Sequence, residues 1–186
     1  MNLLSFHGVN SLLTRHQLVA HWAPGALFVG AILPLFFDMS WSQTMSNLAE
    51  HPSISLSAFA IAAFVLGEIF DSTRDLGEWL LDSIYEKAGC NFLKKIIAKV
   101  NWDFFAKAKD DELKGLEEYY FVYYVFNINS FIALTATAII FLICGEFSAL
   151  PFVAKICGAM FGVILLLDGL FLRKELAEHT NNLPKN

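Results

Sequence analysis

The sequence predicts an all-α membrane protein: four transmembrane helices in a bundle, with a cytoplasmic helical hairpin between helices 2 and 3. Three observations carry that expectation. Four apolar stretches, at about residues 17–37, 54–71, 119–144 and 149–172, have lengths near the span of a bilayer, whose hydrocarbon core of roughly 30 Å takes about 20 apolar residues in a helix. Of the 13 Lys and Arg residues, all but Lys155 lie before the first stretch, between the second and third, or after the fourth. The connections 38–53 and 145–148 carry no Lys or Arg. Basic residues near span ends are held on the cytoplasmic side during insertion, so the asymmetry orients the spans and puts both termini in the cytoplasm. Composition agrees: 56% hydrophobic residues, 18 Phe and a mean hydropathy of +0.51 exceed soluble norms. The expectation is one multi-pass domain, residues 1–186, in a cell inner membrane.

The first span reads as a retained anchor, because the residues before Gln17 include one basic residue and no small-residue cleavage pattern. Pro24 lacks the N–H that the Ala20 carbonyl needs in a helix, and Pro34 does the same to Gly30. A kink is therefore expected beside His21.

The second span is the shortest and is expected to continue past the membrane as an acidic helix to about Tyr85, with Gly89 as a stop. Glu68, Asp71, Asp75, Glu78, Asp82 and Glu86 recur at steps of three or four, which places them on one stripe of a continuous helix. Arg74 stands where it can neutralise Asp71 at i,i+3 and Glu78 at i,i+4. A second cytoplasmic helix, 91–107, puts Phe92, Leu93, Ile96, Ile97, Val100 and Phe104 on one side. Lys94, Lys95, Lys99, Asp103 and Lys107 fall on the other. This basic face suits either an anionic membrane surface or the acidic stripe, and pairing with the stripe is the favoured reading. Segment 72–118 thereby offers a place for a cytoplasmic protein or small-ligand partner.

Four tyrosines open the third span. Tyr119 and Tyr124 are expected to form an interfacial belt. Tyr120 and Tyr123 lead instead into a polar stripe through Asn127, Ser130 and Thr137, which in a membrane faces other helices. The fourth span carries Gly158-x-x-x-Gly162, with Ala159 and Gly169 extending its small-residue face, and the second carries Ala62, Ala63 and Gly67. Such faces allow close helix contact and suggest a homo-oligomer. Lys155 is expected to snorkel to the outer surface. Cys90, Cys144 and Cys157 form no CxxC pair, which removes zinc-ribbon, thioredoxin and haem-attachment chemistry and leaves packing as their expected role.

Topology fixes the direction of each helix, and His21, Glu68, Asp71, Asn127, Asn129 and Asp168 then converge on the inner third of the bilayer. With Arg74, Asp75 and Ser130 they make an intramembrane polar layer. A charge at that depth costs a few kcal/mol or more, so it is usually partnered and functional. His21, Glu68, Asp71 and Asp168 are candidate ligands for a divalent metal such as zinc or manganese, and His21, Glu68 and Asp71 are candidate catalytic residues. No GxSxG elbow and no phosphate-cradling glycine loop occurs. A nucleic-acid partner is not expected, because the basic residues lie beside acids. The expectation is an oligomeric channel-like or membrane effector protein with a cytoplasm-facing polar site, in which His21 can change charge near neutral pH. The alternative is a membrane-embedded hydrolase, metal-dependent or not, acting on lipid head groups.

Overall fold

The computed structural model describes residues 17–36, 40–87, 99–101, 116, 121–148 and 150–182. Every element among them is a helix. A π-helical turn, Gln17–Trp22, runs into α1 (Ala23–Phe36). α2 (Trp41–Glu50) follows, then α3 (Pro52–Lys87), α4 (Val122–Ile143), a short 3-10 turn (Glu146–Ser148) and α5 (Phe152–Asn182). Four helical segments, Leu18–Leu35, Pro52–Lys87, Val122–Ile143 and Phe152–Asn181, are long and apolar enough to cross a membrane. Much of their surface is apolar and open, including Ile61 and Val65 of α3, Ile143 of α4 and Phe152, Val153 and Met160 of α5. Lipid tails suit that surface and water does not. Of the expected 91–107 helix only residues 99–101 are described, and they are not helical, so the expected helix does not run through them. The rest of it, the stop at Gly89, Tyr119, Tyr120 and Cys90 lie outside the described residues.

Local sequence explains the element ends. Pro52 stands at the first position of α3, where its missing N–H costs nothing. The helix then continues unbroken for 36 residues, about 54 Å at 1.5 Å per residue. It therefore carries the acidic stripe well past the apolar stretch that ends near Asp71. At the end of α4 the chain turns through Gly145, whose φ of 78° lies in the left-handed region open to glycine. The connection 38–53, for which no element is named from sequence, contains α2. Ser40 caps it by accepting from the Gln43 amide at 3.4 Å, while the Gln43 side chain accepts from the Ser40 amide at 2.9 Å. This reciprocal pair satisfies two donors that a helix start leaves open.

α1 packs on α3 and α4, and α5 packs chiefly on α4. Closest approach occurs where α1 meets α3. A Cβ on Gly25 would collide with the Ala63 carbonyl, and one on Gly67 with the His21 carbonyl. Rising numbers in α1 thus meet falling numbers in α3, and the two run antiparallel. Between helices in lipid there is little hydrophobic drive, so backbone contact of this kind carries much of the association. Beyond it, Phe28, Ile32, Phe70 and Ala133 form an apolar cluster, with the Phe28 and Phe70 rings edge to face at 5.2 Å. In the fourth span it is Gly169, against Ile128 and Asn127, that meets a neighbour closely. Among the described residues Gly158 has open space around it and Gly162 only grazes Phe131, so the GxxxG pair makes no tight contact with them.

Candidate functional site

His21 reaches the polar layer because the π-helical turn and Pro24 shape the start of α1. The Ala20 carbonyl, deprived of its helical donor by Pro24, accepts instead from the Asn129 side-chain amide of α4 at 2.8 Å. The same Nδ2 donates to Asp71 Oδ1 at 3.2 Å. Asn129 is fully buried, and its two bonds join the first, second and third spans at one point. A buried carbonyl left alone would cost about 1–3 kcal/mol, which is the penalty this amide removes.

The His21 ring, buried against α3, lies between two carboxylates. Its Nδ1 is 3.0 Å from Glu68 Oε1 and its Nε2 is 3.9 Å from Asp71 Oδ1. Arg74 Nη1 lies 3.1 Å from the same Asp71 oxygen, and its Nη2 donates to Asp75 Oδ1 at 2.6 Å. The guanidinium also sits 6.0 Å from the centre of the Phe121 ring, within range of a cation–π attraction. His21, Glu68, Asp71, Arg74, Asp75 and Asn129 therefore form one connected group. Asp71 is its centre, touched by a histidine, an arginine and an amide.

The remaining layer residues lie elsewhere on α4 and α5. Asn127 donates to Asp168 Oδ2 at 2.6 Å, so Asp168 belongs to an α4–α5 contact and its side chain is otherwise exposed. Ser130 is buried and its hydroxyl makes no hydrogen bond among the described residues. Among the described residues no group of three or more His, Cys, Asp or Glu side chains is placed to hold a metal ion. The four candidate ligands do not converge: Asp168 is held by Asn127, while His21, Glu68 and Asp71 are engaged with one another, Arg74 and Asn129. Cys144 and Cys157 are both free and exposed. Lys155 stacks its ammonium over Phe147 at 5.1 Å.

A second ionic group lies further along α3, at the charged end of the molecule. Arg173 of α5 is fully buried. It contacts the Glu78 carboxylate, donates to Asp82 Oδ1 at 2.7 Å and reaches the Tyr124 hydroxyl at 3.5 Å. Tyr124 was expected at the membrane interface and Tyr123 in the helix-facing stripe. The structure reverses the two, with Tyr124 buried and Tyr123 54% exposed. Lys99 pairs with Glu86, as the favoured hairpin pairing anticipates for that lysine. Outside the membrane-spanning stretch, this pairing holds the Glu86 carboxyl below its ordinary range and raises the Lys99 ammonium. Each acid of the stripe thus has a basic partner, and Arg173 is the one the sequence did not disclose.

Compared with protein-family models, curated proteins and solved structures, the chain matches none of them. The site must be read from its own geometry. An imidazole within ion-pair range of two carboxylates is an ionisable cluster, with its Nε2 beyond hydrogen-bond reach of Asp71. Placed in a membrane, such an array is a known kind of relay or gate.

Proposed function

We propose that the chain is an integral membrane protein of the channel-like or effector type, working as an oligomer, with its polar site opening to the cytoplasm. The observation that carries this reading is the buried His21 ring held between Glu68 and Asp71. Ionisable groups in spans are expensive, and a set of them joined across three helices is more than helix packing needs. Histidine is also the residue type whose charge changes between about pH 5 and 8. The basic residues gathered at one end support the cytoplasmic orientation.

Among the described residues, Phe28, Ile32, Phe70 and Ala133 form an apolar cluster beside the polar site. In this reading the His21 site is a gate, and the conducting path forms between chains when the gate opens. The runner-up is a hydrolase acting on lipid head groups. The 3.0 Å approach of His21 to Glu68 favours it, since that spacing fits a base and the group that orients it.

The deciding experiment uses proteoliposomes loaded with potassium chloride and a pH dye. The proposal expects wild type to release ions or protons in a pH-dependent manner, and Glu68→Gln to reduce release by about tenfold or more. Wild-type vesicles that stay sealed across about pH 5 to 8, or a Glu68→Gln variant that leaks as the wild type does, would overturn it. Free head groups appearing in sealed vesicles would move the assignment to the hydrolase.

A further inference from the structure

We propose that Arg173 is the bolt of an ionic latch that fastens the charged end of α5 to α3, and that this end opens as a unit while the spans stay packed. This device goes beyond the function proposed above and does not depend on it. Along its length α5 packs on α4, and among the described residues it has no comparable run of contact with α3. Among the described residues, the ties shown between α5 and α3 are ionic. Arg173 sends its guanidinium to Glu78 and Asp82, one turn apart on α3, with the Tyr124 hydroxyl of α4 beside it.

Further along, the end of α5 binds residues 99–101. The Asn101 amide donates to Thr180 Oγ1 at 3.2 Å, and Asn181 Nδ2 donates to the Lys99 carbonyl at 3.0 Å. Val100 and Leu116 pack on Leu176 and Ala177. Lys99 in turn pairs with Glu86 of α3 and feels the charge of Asp82. The ties to α3 among the described residues are thus ion pairs, and they land between Glu78 and Glu86. Arg74 and Asp75, on the preceding turns of α3, are the other charges nearby.

A buried arginine that loses an acid partner is left with a charge that costs several kcal/mol to keep out of water. The end of α5 would then leave α3 and carry 99–101 and Leu116 with it.

The test reads side-chain accessibility in the full chain, in detergent, with the native cysteines changed to serine. Ala177→Cys, packed on Val100 and Leu116, reports the latch; Ala133→Cys, in the apolar cluster between spans, reports the packed helices. We expect N-ethylmaleimide to modify Ala177→Cys about tenfold faster or more when Arg173→Gln or Asp82→Asn is added, with Ala133→Cys unchanged. Lys174→Gln, which removes only a pair within α5, should leave both rates alone. An unchanged Ala177→Cys rate in Arg173→Gln overturns the latch. So does a parallel rise at Ala133→Cys, which would mean general loosening. If Arg173→Gln does not fold, Asp82→Asn with Glu78 intact gives the same readings.

Discussion

Asn129 shows how one side chain can discharge a debt created far away in the sequence. Pro24 was sufficient to foresee that the Ala20 carbonyl would need a partner, because the missing donor follows from proline's chemistry alone. The identity of the partner was not legible, since a carbonyl accepts from any donor that tertiary packing delivers. Replacing Asn129 by Leu should strand that carbonyl and strip Asp71 of a hydrogen bond, costing about 1–3 kcal/mol. Unfolding in mixed micelles with rising SDS measures this, and a variant as stable as wild type would show that the two bonds carry no weight. Tyr123 and Tyr124 mark the opposite limit. Neighbours on a helix differ by about 100° in direction, and without a reference for the inward face either could have been the buried one.

At the level of elements, periodicity served well where a helix had one chemical face. The acidic stripe was enough to foresee that α3 continues past its apolar stretch, and the described helix runs on through Lys87. α2 was missed because its apolar content is low, although the Ser40 and Gln43 spacing was a usable signal. Of the glycines read as contact sites, Gly67 and Gly169 are such sites and Gly158 is not, and Gly25, which also meets a neighbour, was not singled out at all. Gly67→Ala should therefore push α1 from α3, at about 1–3 kcal/mol, because the obstacle is backbone that cannot swing aside. Gly158→Ala should be neutral or slightly stabilising, as expected when alanine replaces glycine in an open helix. Thermal melts of the two variants in one detergent decide this, and equal losses would contradict the helix contact described.

For the whole molecule, the alternation of helix direction agrees with four crossings, and the cytoplasmic side of the charged end is a proposal that rests on the basic residues alone. A membrane-impermeant maleimide tests it on a variant carrying Cys90→Ser and Cys157→Ser. Cys144, exposed at the far end of α4, should react in right-side-out vesicles, and Lys174→Cys in the absence of Cys144 only in inverted ones. The reverse pattern would invert the topology. The polar layer was legible as a depth but not as a grouping. Sequence placed six residues at one level, and the structure divides them between a His21 group and an Asn127–Asp168 pair, because level says nothing of which way a side chain turns.

The length of α3 has a mechanical consequence. At about 100° per residue, the six acids from Glu68 to Glu86 lie within an arc of about 80°, and Glu68 and Glu86 share one bearing. A rod of that build has a single axis of twist, so turning it far enough to lift Asp82 from Arg173 also swings Glu68 and Asp71 past the His21 ring. Torque applied at either end would be felt at the other, and the protein would possess one angular coordinate where its side chains suggest several separate bonds.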